Sequence, residues 1–288
     1  MNVLPHEFVR SLVGAALAED VGAGDLTAEI AVPADQRAEA CIVAREPCVV
    51  AGIPLVSEVF EQIDRSITMK PLVDDGEQAG KGTRVCVLEG PARGILTGER
   101  TALNFLQRLS GIATMTHQFV VEIRGTKATI LDTRKTTPTL RLLEKYAVTV
   151  GGGANHRMGL YDAVMIKDNH RAILDRLGPK ALGDAVAAVR KLHPSAPIIV
   201  EADKLEQVED ALAAGADRIL LDNMTPDELR EAVALVAGRA ETEASGGVTL
   251  QTVRDIARTG VDYISVGALT HSAPAVDLSL EVTNKEAL

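Results

Sequence analysis

Ionisable and polar residues recur where short apolar runs end in the second half of this chain. Asp132, Arg134 and Lys135 follow the run 128–131, and Lys167, Asp168 and His170 follow 163–166. Glu201 with Asp203, Asp222 with Asn223, Glu243 with Ser245, and Gly267 close four later runs. From Lys127 to His170 seven lysines and arginines stand against four acids, in a protein of formal charge −10. A cationic cluster inside an acidic chain points to a pocket for a small, multiply charged anion rather than to a polyanion-binding surface. The competing reading is that these charges solvate loops, which carry charge by default.

The later strand ends differ in chemistry. Ser245-Gly246-Gly247 and Gly267-Ala268 are small residues that would let backbone N–H groups near helix starts reach a ligand, as a phosphate site requires. The same glycines would also serve plain tight turns. Glu201 and Asp222 suit magnesium, a hard cation satisfied by one or two carboxylates plus substrate phosphates. No H-E-x-x-H or cysteine cluster asks for a transition metal. The pattern predicts a bisubstrate site, with cations for a polycarboxylate on one side and acids beside bare amides for a metal-bound phosphorylated partner on the other.

The elements that must position these groups alternate strand, polar tip and helix from Lys127 onward. The expected strands are 128–132, 163–167, 198–202, 218–222, 240–243 and 262–266. Asp203 with Glu206, and Thr225 with Glu228, read as helix-start capping boxes, and a third helix begins at Thr249. Gly215 and Gly260 read as helix stops. The junctions 215–222 and 260–267 look like one unit used twice. Such βα repetition implies a parallel sheet, with a closed or nearly closed barrel as the leading architecture. An open doubly wound sheet competes, although no G-x-G-x-x-G follows a strand.

Before Lys127 the pattern is a segregated α+β mixture. A helix is predicted over 5–18 and another over 54–63, among short strands at 38–44, 48–51, 67–71 and 83–88. A long helix over 94–123 is expected to break or kink at Ser110-Gly111. Arg100 on that helix reads, from its surroundings alone, as a surface arginine. Val276, Leu278, Leu280 and Val282 alternate as a last strand does. The chain therefore divides into an N-terminal α+β sandwich over 1–115, to which a strand within 275–288 returns, and a parallel α/β barrel over 116–274.

Composition narrows the functional classes. With no tryptophan, three tyrosines and four phenylalanines the core must be aliphatic, and base-stacking nucleic-acid modules are disfavoured. The acidic balance argues against nucleic acid as a partner. Three cysteines, without any C-x-x-C, predict neither a disulfide framework nor a zinc site. The N-terminal MNVLPHEFVR lacks an apolar signal core and no run is long enough to span a membrane, so a cytoplasmic setting without membrane contact is expected.

The ordered motifs D-T-R-K-T at 132–136, K-Y-A-V at 145–148, G-G-G-x-N-H-R at 151–157 and I-K-D-N-H at 166–170 resemble those of the quinolinate phosphoribosyltransferase family. So do L-D-N at 221–223, S-G-G at 245–247, V-G-A-L-T-H at 266–271 and the stretch E-R-T-A-L-N-F-L-Q-R-L-S-G-I-A-T at 99–114. The resemblance covers nearly the whole chain. It implies a type II phosphoribosyltransferase of NAD synthesis, with an N-terminal sandwich and an incomplete α/β barrel, acting as a dimer or a trimer of dimers. By it Arg134, His156, Arg157 and Lys167 match the residues that hold the quinolinate carboxylates. Arg100 matches an arginine that enters the neighbouring subunit's site, which reverses the plain reading above. Lys135, Glu201, Asp222, Ser245, Gly246, Gly267 and His271 match the surroundings of 5-phosphoribosyl 1-diphosphate and its magnesium. Among these Lys135, Glu201 and Asp222 are the expected catalytic groups, and Glu201 and Asp222 the expected metal ligands. The alternatives are a related barrel pyrophosphorylase with another acceptor, a Schiff-base lyase using Lys167, and a catalytically silent binding protein.

Overall fold

The structure, a computed structural model, describes residues 4–283. The ends of the readings at 1–10 and 275–288 lie outside the described residues. Two compact units emerge. One comprises the chain up to His117, Leu142–Gly152 and the chain from Ser272; the other comprises Gln118–Arg141 and Gly153–His271.

The first unit is built on an antiparallel sheet of β1 (Arg37–Ala44), β3 (Thr68–Pro71), β5 (Arg84–Pro91) and β12 (Leu278–Thr283), in the order β12-β1-β5-β3. A short pair, β2 (Cys48–Val49) and β4 (Gln78–Ala79), lies apart from it. Ile42, Leu88, Leu55 and Ile95 are fully buried, an aliphatic core consistent with the scarcity of aromatic residues. The helix Ile53–Ile63 starts where Asp75 accepts the N–H groups of Gly52 and Ile53 at 3.0 Å.

The predicted break at Ser110-Gly111 does not occur. One helix of 31 residues runs from Ala92 to Glu122. Gly111 is there for space: a Cβ at this position would meet the carbonyl oxygen of Pro274 at 2.0 Å. Ser110 turns its hydroxyl to the backbone of Ala51, whose N–H it accepts at 3.0 Å. Close packing, rather than helix interruption, explains the pair. The helix Arg141–Val150, which sequence assigns to the barrel, belongs almost wholly to the first unit. Its buried Glu144 pairs with Arg108 at 2.9 Å, and the hydroxyl of Tyr146 donates to Asp75 at 2.6 Å.

The second unit is a parallel sheet of β6 (Thr129–Leu131), β7 (Val164–Ile166), β8 (Ile198–Ala202), β9 (Arg218–Asp222), β10 (Glu241–Ser245) and β11 (Tyr263–Ser265). Its order is β6-β11-β10-β9-β8-β7, which is chain order taken cyclically. In an open doubly wound sheet the order would reverse at a switch point. Here the last strand pairs with the first, leaving the ladder open only between β6 and β7. This is the topology of an incomplete barrel. A single bridge, Leu131 to Ala154, occupies the free edge of β6. Central strands are buried on both faces, as in Ile198-Ile199-Val200 and Ile219-Leu220-Leu221.

Helix ends partly follow the sequence signals. Thr225 and Glu228 form the predicted capping box, with Pro226 in the first turn, and Gly215 closes the helix Leu205–Ala214 at φ 84°. Asp203 does not cap. The helix begins after Lys204, and the Asp203 N–H is instead taken by the Gln207 side chain at 2.8 Å. The helix expected from Thr249 is a turn until Val253, although Thr249 already makes helix-start contacts, its N–H to the Thr252 hydroxyl and its carbonyl to the Val253 N–H.

Candidate active site

A cavity of about 470 Å³ opens at the C-terminal ends of the barrel strands. Arg134, Lys135, His156, Arg157, Lys167, Glu201, Asp222 and Ser245 line it, over a floor that includes Met165, Leu220, Glu243 and Ser265. Parallel strands explain the convergence. Side chains two apart on a strand share a face, so 165 and 167, 220 and 222, and 243 and 245 form successive layers of one lumen.

The cationic wall rests on buried acids. Asp132, fully buried at the end of β6, accepts the His156 N–H at 2.9 Å and so clamps the 153–157 loop. Ala154 completes the clamp through its N–H to Ile130 and its carbonyl to Asp132. The Nδ1 of His156 accepts the Arg157 N–H at 2.6 Å, and its Nε2 lies 3.3 Å from Oε1 of Glu243. An accepting Nδ1 leaves the proton of a neutral ring on Nε2, facing that carboxylate. Glu243 also accepts from Ser265 Oγ and from Arg218 Nη1, whose guanidinium stacks 3.9 Å above the Tyr263 ring. Burial pushes the Glu243 carboxyl up, but His156, Ser265 and Arg218 outweigh burial and hold it below the usual carboxylate range.

Two guanidinium groups face the space above. Burial, then the neighbouring Arg134, depress Arg157 from its ordinary value, and nearby Asp162 offsets this only in part. Arg157 spends one N–H on the Ala163 carbonyl at 3.0 Å. The Nε of Arg134 is buried without a hydrogen-bond partner among the described residues. Burying such a donor is costly unless something accepts from it, and paired guanidinium forks match a ligand carrying carboxylates. Lys167 is half exposed, its Nζ 3.7 Å from Oε2 of Glu201. That is an ion pair between a half-exposed amine and a carboxylate.

The opposite wall is acidic. Burial raises the Glu201 carboxyl, Lys167 and the Asp168 N–H lower it, and Asp222 and Asp168 raise it again. Glu201 and Asp222 are thus close enough to repel, a situation a cation between them would relieve. No group of three or more His, Cys, Asp or Glu among the described residues forms a ready metal cage. The donor set fits magnesium, which takes one or two carboxylates and completes its shell from water and phosphate. An adjoining hollow of about 470 Å³ shares Asp168, Glu201 and Asp222 and adds Asp203 and Asn223.

Gly246, Gly267, His271 and Arg100 do not line the cavity. A Cβ on Gly267 would lie 3.2 Å from both Lys135 Cδ and His271 Nε2, so this glycine makes room for both side chains to lie against it. Gly267 immediately precedes the turn of helix Ala268–His271, as expected. Gly246 and Gly247 do not sit at a helix start, since the next helix begins at Val253. Arg100 is exposed on the helix Ala92–Glu122 of the first unit. Sequence singled out Glu243 as a strand-end charge but missed its burial under His156. Its interior strand position, two before Ser245, was the available signal.

Models described as the quinolinate phosphoribosyl transferase N-terminal and C-terminal domains match residues 25–110 and 112–281. The chain is 44% identical over 282 residues to the probable carboxylating nicotinate-nucleotide pyrophosphorylase of Bacillus subtilis, covering 96% of this chain and 94% of that protein. It is 43% identical to the chloroplastic carboxylating nicotinate-nucleotide pyrophosphorylase of Oryza sativa subsp. japonica, covering 99% of this chain and 80% of that one. The nicotinate-nucleotide pyrophosphorylase structure from Francisella tularensis matches with a TM-score of 0.92 at 41% identity over 98% of both chains.

Proposed function

Because the chain belongs to the quinolinate phosphoribosyltransferase family, we propose that its strand-end cavity joins quinolinate to the ribose of 5-phosphoribosyl 1-diphosphate. Pyrophosphate leaves, the 2-carboxylate departs as carbon dioxide, the electron pair left on C2 takes a proton from solvent, and nicotinate mononucleotide results. The enzyme is a phosphoribosyltransferase of NAD biosynthesis. The observation that carries the assignment to this cavity is the apposition of Arg134 and Arg157, one with a partnerless buried donor and the other depressed by burial and, after it, by its neighbour. A dicarboxylate relieves both.

In this proposal Arg134, Arg157, His156 and Lys167 hold the pyridine dicarboxylate so that its ring nitrogen faces the anomeric carbon. Attack and departure of pyrophosphate give the ribose cationic character, which the carboxylates of Glu201 and Asp222 stabilise. Lys135, beside Gly267 and His271, meets the charge growing on the leaving pyrophosphate. Ser245 and the Gly246 backbone bind the 5-phosphate. Glu201 and Asp222 would hold magnesium, which supplies charge neutralisation to the diphosphate. No protein nucleophile is needed, and positioning and electrostatics provide most of the acceleration.

The proposal includes a dimer or trimer of dimers in which Arg100 enters the partner's cavity. Its exposure on the helix leaves the guanidinium accessible to a second copy. It also includes a cytoplasmic setting, supported by three free, buried cysteines. No helix among the described residues is long and apolar enough to cross a membrane. The direct test is release of pyrophosphate and carbon dioxide from the two substrates with magnesium. Quinolinate-dependent release of both supports the assignment. Pyrophosphate release that ignores quinolinate, or turnover with a different acceptor alone, would refute it.

A further inference from the structure

At the end of β9, Asn223 follows Asp222 with a left-handed backbone, φ 56°. Asparagine is among the few non-glycine residues that accept this conformation. The turn gives Asn223 three neighbours at once. Its N–H donates to the Ser245 carbonyl at 2.9 Å, which fastens the end of β9 to the end of β10. Its Nδ2 donates to Oδ2 of Asp222 at 2.7 Å. Its Oδ1 covers Gly246, where a Cβ would stand 2.1 Å from Oδ1, 2.7 Å from Cγ and 2.9 Å from the Asn223 nitrogen.

These contacts change the meaning of Gly246. A glycine after Ser245 reads from sequence as room for a phosphate. In the structure the room beside it is already filled, and by Asn223. One side chain therefore ties the acid of the proposed metal site to the backbone of the proposed phosphate cradle.

We propose that Asn223 is a positioning residue for the phosphoribosyl donor. It fixes one oxygen of Asp222 so that the other stays free for the cation, and it sets the Ser245-Gly246 backbone through Gly246. The inference rests on Asp222 and Gly246 serving the phosphoribosyl donor. It does not involve the dicarboxylate wall, so its effect falls on one substrate. Loss of a hydrogen bond to a charged group predicts about a tenfold rise in the donor's KM, with the quinolinate KM essentially unchanged.

The test compares Asn223→Gly, which keeps the backbone turn and removes the amide, with Asn223→Asp, which keeps the shape and replaces the donor. Asp222→Ala serves as reference, and thermal melts check folding. Support is a raised KM and weakened calorimetric binding for 5-phosphoribosyl 1-diphosphate with magnesium in both Asn223 variants, with quinolinate KM within about twofold of the parent. Wild-type donor affinity in both, while Asp222→Ala loses it, overturns the role of Asn223 alone. Wild-type donor affinity in Asp222→Ala overturns the reading of Asp222 and this proposal with it. A double-mutant cycle of Gly246→Ala with Asn223→Gly supplies an independent measure, because the backbone strain of alanine at φ 94° is common to both arms and cancels. Partial rescue of donor binding by Asn223→Gly supports the coupling. Strict additivity contradicts it.

Discussion

On the side formed by the end of β6 and the 153–157 loop, the fully buried Asp132 takes the His156 N–H, and the His156 ring rests on Glu243, a fully buried acid of β10 that also holds Ser265 and Arg218. At the tips of β8 and β9, Glu201 and Asp222 are held more lightly, by one backbone N–H group, a lysine and one asparagine amide. Buried acids impose a fixed loop geometry and leave the Arg134 Nε without a partner, which suits a rigid planar dicarboxylate. Strand-tip acids with light restraints retain open oxygens, which suits a hydrated cation and a flexible diphosphate. The ligand's stiffness is matched by how deeply each wall is anchored.

Substitutions can break or sharpen this contrast. The largest effect is expected from Glu243→Ala. Removing one partner of a buried, multiply bonded charge costs about 3–5 kcal/mol, read as a fall in unfolding free energy together with loss of quinolinate affinity. Glu243 is held below its ordinary range in the folded protein, so its contribution is complete above the unfolded carboxylate value and fades as pH falls through the folded one. Glu243→Gln should therefore flatten the acid limb of the stability curve.

Next comes Arg157→Lys. Exchanging a planar fork for a point charge should lower kcat/KM for quinolinate about a hundredfold, or about 2.7 kcal/mol, with donor affinity retained. Unchanged steady-state kinetics would remove Arg157 from the site. Asp222→Ala should weaken magnesium-dependent donor binding about tenfold or more and leave quinolinate binding alone, as calorimetry can show.

The smallest and most diagnostic effect concerns Glu201. Its carboxyl is raised by burial and by Asp222, so ionisation costs stability once pH rises past the unfolded value. Glu201→Gln should lift the melting temperature by a few degrees at neutral pH while impairing donor binding. A lower melting temperature would mean that the Lys167 ion pair outweighs the repulsion.

The barrel was legible because its βα periodicity, glycine stops and the Thr225–Glu228 box are local signals. Lys167 and Asp222 were legible because strand register assigns their face, whereas Arg134 lies in the bend beyond β6. What stayed hidden depended on distant partners. Ser110-Gly111 reads as a break until Pro274 is seen against it. The helix 141–150 sits between barrel strands in sequence, yet Arg108 and Asp75 claim it. Why position 246 has no room for a Cβ stays hidden until the left-handed turn of Asn223 is seen against it. The part of Glu243 beneath His156 needed three strands and a loop to be placed together.

The most direct measurement is a pair of calorimetric titrations, quinolinate alone and 5-phosphoribosyl 1-diphosphate with magnesium, each into the parent, Arg134→Ala and Asp222→Ala proteins. Two separately anchored walls predict a crossed result: Arg134→Ala loses quinolinate and keeps the diphosphate, and Asp222→Ala does the reverse. Parental quinolinate affinity in Arg134→Ala, or equal loss of both ligands in either variant, would contradict the account.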